Sequence, residues 1–187
     1  EYYKIIDELE TYASSSIGKE YCRNTLPMSD IDEINLAGTQ TADALSRIYR
    51  HGAPSFRGAY DIRSSFLRLG IGSVLGIKEL LQVSSLLGCT ESVRAYNEDT
   101  EDSLSDMFNE LYPLPHIKRD IDRCIISEDE ISDDASSGLK QVRRAMKNTN
   151  DRIHEQLSSI LNSSRTLLQD ALITMRNGRY CLPVKAE

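Results

Sequence analysis

The fold is decided by residues 137–175, which read SGLKQVRRAMKNTNDRIHEQLSSILNSSRTLLQDALITM. Apolar or small residues recur in this stretch at steps of three and four, the spacing that lines one face of an α-helix. They are Leu139, Val142, Met146, Thr149, Ile153, Leu157, Ile160, Ser164, Leu167 and Ala171. At 1.5 Å per residue such a helix is roughly 50 Å long, too long to pack on one compact core over its whole length. The pattern therefore predicts either a coiled-coil arm or a rigid strut.

A turn and a strand candidate follow this helix. Asn177-Gly178 is a dipeptide that readily takes positive φ, and residues 180–184 form a short apolar run. A strand needs a pairing partner, and no further strand candidate follows before the sequence ends. Since the first residue is Glu1 and not methionine, we expect these 187 residues to be a piece of a larger protein.

Shorter helical patterns occupy the first part of the chain. Asp30 is a helix start signal, and Glu33 three residues later completes a capping-box match for a helix that reaches about Arg50. Ser73 is a candidate cap for a heavily apolar helix that continues toward Tyr96. Low contents of glycine (10) and proline (5) also favour helices over a turn-rich β architecture.

The middle of the chain contains three further patterns. Residues 97–106 are acidic and lack lysine and arginine, which predicts an exposed, mobile connection. Residues 115–124 have the pattern of a short helix that starts at a proline, and residues 125–131 suggest a small hairpin or turn. We expect an all-α fold in three parts, namely a helical core at 1–136, a long helix at 137–175 and a truncated segment at 176–187.

Charge is unevenly distributed along the chain. The net charge is −7, yet residues 139–179 contain eight basic and only three acidic residues. The whole chain is expected to repel nucleic acid, whereas this basic arm can attract it. The alternative is a helix face that is merely solvated.

No known catalytic or metal-binding motif is complete in this sequence. The four cysteines are far apart without CxxC spacing, and no histidine lies near them at ligand spacing, so we expect reduced thiols, no metal site and a cytoplasmic location. Gly18-Lys19 lacks the first glycine of a phosphate loop, and His154-Glu155 lacks the second histidine of a zinc-protease helix. No apolar run is long enough to span a bilayer. We therefore assign no catalytic, cofactor-binding or metal-binding residue.

Nine short motifs follow one another along the chain. They are Ala13-Ser14-Ser15, Ile17-Gly18-Lys19, Leu26-Pro27-Met28-Ser29-Asp30, Asp61-Ile62-Arg63, Ile121 to Ile125, Ile131 to Ser136, Leu139 to Arg144, Ile160 to Arg165 and Arg176 to Lys185. Taken in this order, they resemble the core (lever) domain of MutS-type proteins. The last of these resembles the entry into the clamp of that family. If residue 1 lies near the amino terminus of the whole protein, the absence of a mismatch-reading domain before the core motifs points to a resemblance to the type-two bacterial MutS paralogues.

The resemblance implies an all-helical lever fold whose long helix runs into the first strand of a DNA-embracing clamp. In this family, ATP and magnesium are bound by a downstream ATPase domain that forms a homodimer, and type-two members also have a carboxyl-terminal endonuclease domain. Their substrates are branched DNA, in suppression of recombination, and collided ribosomes. No phosphate-loop, magnesium-binding or nuclease residue of the family falls within 1–187, so this segment is expected not to be an enzyme.

Arg176, Arg179 and Lys185 are the candidate nucleic-acid contacts, because the resemblance places them where a clamp meets phosphates at the distal end of the long helix. The alternative is that they are solvated turn residues. The expected function is thus a non-catalytic lever segment that couples the state of the ATPase to the clamp. The competing hypothesis is an independent helical module that binds a protein partner.

Overall fold

The structure, a computed structural model, describes residues 1–170 and 172–185 and divides into two compact units, Glu1–Ser132 and Asp133–Glu187. The described residues are mostly helical, in agreement with the predicted helical class, and also form two small antiparallel sheets. The helices are α1 (Tyr2–Tyr12), α2 (Ser16–Arg23), α3 (Ile31–His51), α4 (Arg63–Gly70), α5 (Ile77–Ala95), α6 (Ser105–Asn109), α7 (Pro115–Cys124) and α8 (Ser137–Ser163). The strands are β1 (Ile125–Ser127), β2 (Glu130–Ile131), β3 (Thr174–Arg176) and β4 (Arg179–Cys181).

Local capping signals fix where several helices begin. The carboxylate of Asp30 accepts hydrogen bonds from the backbone N–H groups of Asp32 and Glu33, as expected for the N-cap of α3. In α7, Pro115 occupies the first turn, where its missing N–H has no intrahelical role. The predicted cap at Ser73 is wrong. α5 begins at Ile77, and Glu79 accepts a hydrogen bond from the N–H of Gly76 at 2.9 Å.

The first unit is organised around α5. Among the helices, α7 packs against α5 most extensively. The hydroxyl of Ser84 on α5 donates a hydrogen bond to the carboxylate of Asp122 on α7. Cys89 and Val93 on α5 are buried, as is Ile125 in β1. The hairpin predicted at 125–131 is present, with Ile125 opposite Ile131.

The acidic segment at 97–106 is exposed at Glu98, Asp99, Glu101 and Asp106, as predicted, but Asp102 ties it to α3, which argues against the predicted mobility. Arg47 on α3 is 3% exposed and donates to both carboxylate oxygens of Asp102, at 2.7 and 2.5 Å. The same guanidinium donates to Asn97 and Ser105 and lies 4.8 Å from the ring centroid of Phe108. One buried arginine therefore binds three side chains of this segment.

The second unit begins with a short 3-10 turn at Asp133–Ala135 and continues as α8. The hydroxyl of Ser136 accepts from the N–H of Leu139 at 3.1 Å, so α8 starts where the sequence predicts. It ends at Ser163, however, and not at 175. With 27 residues, α8 is about 40 Å long.

The helix ends early because the residues after it are required for strand pairing. Residues 164–167 form a turn, and Leu168 then makes an isolated antiparallel bridge with Val184. The N–H of Gln169 donates to the carbonyl of Pro183, and the N–H of Lys185 donates to the carbonyl of Leu167, both at 3.0 Å. Leu167 and Leu168, which fit the helical period, thus lie outside the helix, and Ala171 is not among the described residues.

The strand predicted at 180–184 does have a partner within the chain, contrary to our expectation. β3 pairs with β4 in the register Thr174↔Cys181, Met175↔Tyr180 and Arg176↔Arg179. Residues 174–176 therefore belong to a hairpin and not to the long helix. The predicted boundary at 175/176 falls inside this hairpin.

Candidate functional site

The turn between β3 and β4 brings two of the three predicted contact residues together. Asn177 and Gly178 have φ values of 51° and 74°, the left-handed conformation at both central positions of a two-residue type I′ hairpin. Arg176 and Arg179 flank this turn directly and are paired across the strands. Side chains at directly opposed positions have Cβ atoms about 5 Å apart. The turn therefore presents two guanidinium groups side by side.

The alternation of side chains along the strands places the two arginines on one face of the hairpin and Tyr180 on the other. The hydroxyl of Tyr180 donates to Oδ1 of Asn150 on α8 at 3.1 Å. It also lies 3.3 Å from Nε2 of His154, whose ring meets the tyrosine ring edge-to-face at a centroid distance of 5.3 Å. Because Tyr180 faces α8, both arginines face away from it.

Arg176 and Arg179 are exposed, and neither forms an ion pair with any other residue in the described part of the chain. Like charges at directly opposed strand positions repel each other. An anion between them would remove that repulsion, and the planar guanidinium fits the oxygens of phosphate and carboxylate groups. The pair is thus suited to a phosphate group.

Lys185, the third predicted contact, lies elsewhere. Its ammonium donates to the carbonyl of Thr166 at 3.0 Å, and its backbone N–H donates to Leu167. Lys185 therefore closes the base of the hairpin at the carboxyl end of α8, far along the strand from the turn. The structure does not group it with the two arginines.

The turn also differs in location from the sequence-based expectation. The contacts of Tyr180 with Asn150 and His154 bring the hairpin back along α8 to the middle of the helix. The arginines consequently lie beside α8, and the prediction that they occupy its distal end is wrong.

The predicted contact residues did not include Tyr180, Asn150 or His154. The signal that could have found the last two is their i, i+4 spacing, which places them on one helix face.

A long apolar stripe on α8 remains uncovered. Val142 and Met146 are 57% and 66% exposed, and Ile153 and Ile160 are also exposed. Val142, Met146 and Ile153 line a shallow groove on the surface of the helix. Much apolar surface is thus available for further packing.

The described residues were compared with the requirements of a metal site, a membrane-spanning helix and a disulfide bond. Across 1–170 and 172–185, no group of three or more histidine, cysteine, aspartate or glutamate side chains is arranged to hold a metal ion. No helix in the same ranges is both long and apolar enough to cross a bilayer. None of the four cysteines, all of which are described, forms a disulfide bond.

Comparison with known proteins identifies close relatives over the whole chain. The chain is 52% identical to Endonuclease MutS2 of Lachnoclostridium phytofermentans, 51% identical to Endonuclease MutS2 of Lachnospira eligens and 45% identical to Endonuclease MutS2 of Agathobacter rectalis. Each match covers 100% of this chain but only 24–25% of the relative, so the chain spans about a quarter of the length of these curated relatives. No family model matches the chain.

Proposed function

Because the chain belongs to the MutS2 family, as its motifs predicted, we propose that it is the non-catalytic core and lever segment of such a protein. It fits an N-terminal segment of the relatives and spans about a quarter of their length. Under this proposal, ATP and magnesium binding, homodimer formation and endonuclease activity belong to parts of the whole protein outside the 187 residues.

The mechanical part of the proposal concerns α8. A continuous helix of 27 residues resists bending, and its two ends are defined by the Ser136 cap and by the hairpin that follows Ser163. We propose that movement of the ATPase domain reaches the hairpin through α8. The hydrogen bonds of Lys185 to residues 166 and 167 support this role, because they fix the hairpin base to the turn after the helix.

The nucleic-acid part of the proposal rests on one observation: the cross-strand pair Arg176 and Arg179 at the hairpin turn. Two exposed guanidinium groups without carboxylate partners among the described residues can contact phosphates of any sequence. We propose that the hairpin contributes such contacts. By family resemblance the substrate is branched DNA, collided ribosomes, or both, in the cytoplasm.

The exposed stripe on α8 has a proposed occupant. The relatives are about four times as long as this chain, and the family resemblance implies a second lever helix beyond it. Val142, Met146 and Ile153 follow the period of a helix–helix seam. We propose that this second helix of the same protein covers them.

The second candidate function, an independent module that binds a protein partner, is favoured by the same exposed stripe. The two candidates differ in the surface that they use. A lever segment contacts nucleic acid through the basic hairpin, whereas a protein-binding module uses the apolar face of α8.

The experiment that tests the proposal is fluorescence anisotropy of the 187-residue chain with a labelled four-way junction and a linear duplex, at low and at moderate salt. We expect binding that weakens steeply as salt rises, because phosphate contacts release counterions. Absence of binding at low salt would contradict nucleic-acid contact by this segment. Measurable ATP turnover by the purified chain would contradict its non-catalytic role.

A further inference from the structure

We infer that the amino-terminal half of α8 binds a phosphate backbone through its own basic face, which consists of Lys140, Arg143, Arg144 and Lys147. The inference deepens the proposed function and rests on it for the identity of the ligand, a nucleic acid. All four residues belong to one helix, so this surface does not depend on where the hairpin lies.

The four side chains of the basic face lie on one side of α8. Residues three, four and seven positions apart project from the same side of an α-helix, which has 3.6 residues per turn. Lys140, Arg143, Arg144 and Lys147 have these separations, and all four are exposed. Along the helix axis they span about 10 Å. The basic face is therefore a compact, accessible cluster of cations.

Only two of these four cations have a carboxylate partner among the described residues. The ammonium of Lys140 lies 2.7 Å from Asp134, and the guanidinium of Arg143 lies 2.5 Å from Asp133. Arg144 and Lys147 form no ion pair with any residue in the described part of the chain. The basic face consequently keeps an excess of two positive charges.

This arrangement of charges opposes the stability of the helix. Like charges four positions apart repel each other, and the basic face contains two such pairs, Lys140 with Arg144 and Arg143 with Lys147. Asp134 raises the pKa of the Lys140 ammonium, and the positive charge of Arg144 opposes that shift. Lys140 also lies in the first turn of α8, where the helix dipole disfavours a cation. Residues that conflict with the fold in this way are typical of functional surfaces.

The chemistry of the basic face is complementary to a phosphate backbone. The guanidinium of Arg144 can donate two parallel hydrogen bonds to one phosphate, and the flexible Lys147 can reach a neighbouring phosphate. Such contacts are independent of base sequence. The proposed function brings a nucleic-acid backbone to the hairpin of the same unit, which favours nucleic acid over an acidic protein segment as the partner.

The binding test compares Arg144→Ala/Lys147→Ala with Arg152→Ala/Arg165→Ala, a control that removes equal charge from exposed positions of the same unit. With the 187-residue chain and a labelled linear duplex, we expect the first variant to lose affinity several-fold at low salt. The slope of log affinity against log salt should fall by about 1.8, the value for two phosphate contacts. The control should stay within about twofold of wild type, because its charges act only from a distance. Equal losses in the two variants would overturn the inference.

Thermal unfolding of the same variants separates binding from folding. Because Arg144 and Lys147 repel their neighbours on the basic face, Arg144→Ala/Lys147→Ala should keep or raise the unfolding midpoint of the wild-type chain. A lower midpoint would assign the two side chains a structural role and would overturn the inference.

The nature of the partner is tested with labelled poly-glutamate in place of the duplex. We expect weak binding that is the same for wild type and Arg144→Ala/Lys147→Ala. Tight binding that is lost in this variant would assign the basic face to an acidic protein segment and overturn the inference. A wild-type chain that binds no duplex would overturn the proposed function as well. Duplex binding that is lost in Arg176→Ala/Arg179→Ala but unchanged in Arg144→Ala/Lys147→Ala would overturn the inference alone.

Discussion

Arg47 and Asp102, which are 55 residues apart in the sequence, form a two-point ion pair that fastens the acidic segment at 97–106 to α3. The guanidinium is almost fully buried, and the Asp102 side chain is 16% exposed. Removing one partner of a buried pair costs far more than the pair itself contributes, because the other charge is left without compensation. The first two predictions follow from this pair.

Arg47→Ala is expected to destabilise the first unit by about 2–4 kcal/mol, because Asp102 loses its counterion and Asn97 loses its donor. The measurement is the urea midpoint of unfolding. Arg50→Ala is the matched control, since Arg50 lies on the same helix and is exposed; it should change stability by less than about 0.5 kcal/mol. Similar midpoints for the two variants would contradict the buried role of Arg47.

Stability should depend on pH through Asp102. The hydrogen bonds from Arg47 hold the pKa of the Asp102 carboxyl below its usual value. A depressed pKa in the folded state adds stability above the unfolded pKa, about 3.9, and this contribution is lost as pH falls through the folded pKa. The stability difference between wild type and Asp102→Asn should therefore be full at pH 7 and shrink below about pH 4. A difference that stays constant down to pH 2 would rule out this linkage.

Gly178→Ala should loosen the hairpin without changing its charge. A residue with a Cβ is strained at φ 74°, at a cost of about 1 kcal/mol. We expect faster amide hydrogen exchange at Thr174 and Cys181. Gly138→Ala is the control in the same unit, because its added Cβ meets no atom within 4 Å and no positive φ is required. Equal exchange rates in the two variants would argue against the type I′ turn.

Polar substitutions in the apolar stripe of α8 test whether the whole protein covers it. Val142→Gln and Met146→Gln should change the stability of this chain by less than about 0.5 kcal/mol, because both side chains are mostly exposed here. In the full-length protein, the same changes should lower the melting temperature, since each buries an amide in an apolar seam. No effect in the full-length protein would contradict coverage by a second lever helix.

The end of α8 is the helix boundary that the sequence missed by the widest margin. The starts of α3 and α8 depend on Asp30 and Ser136, whose side chains bond to N–H groups two or three residues away. The end of α8 depends instead on pairing of Leu168 with Val184. Leu167 and Leu168 continue the helical period, and the pairing of Leu168 with the distant Val184 takes this segment out of the helix.

The candidate site was also predictable only where local sequence determines the structure. The dipeptide Asn177-Gly178 signals the turn locally, so the juxtaposition of Arg176 and Arg179 follows from sequence. The separate location of Lys185 depends on backbone pairing with Leu167, 18 residues away. The contact of Tyr180 with Asn150 and His154 on α8 likewise requires the chain to reverse its direction after the helix. No local sequence pattern indicates this reversal.

The most direct test of the account is the salt dependence of duplex and four-way-junction binding by Arg176→Ala/Arg179→Ala, measured by fluorescence anisotropy. The control, Arg50→Ala/Arg57→Ala, removes the same charge from exposed positions in the first unit. We predict that the hairpin variant loses at least tenfold in affinity at low salt and about two units of salt slope, as expected for two lost phosphate contacts. The control should remain within about twofold of wild type. Equal losses in the two double variants would contradict the central claim that the hairpin turn contacts the phosphate backbone.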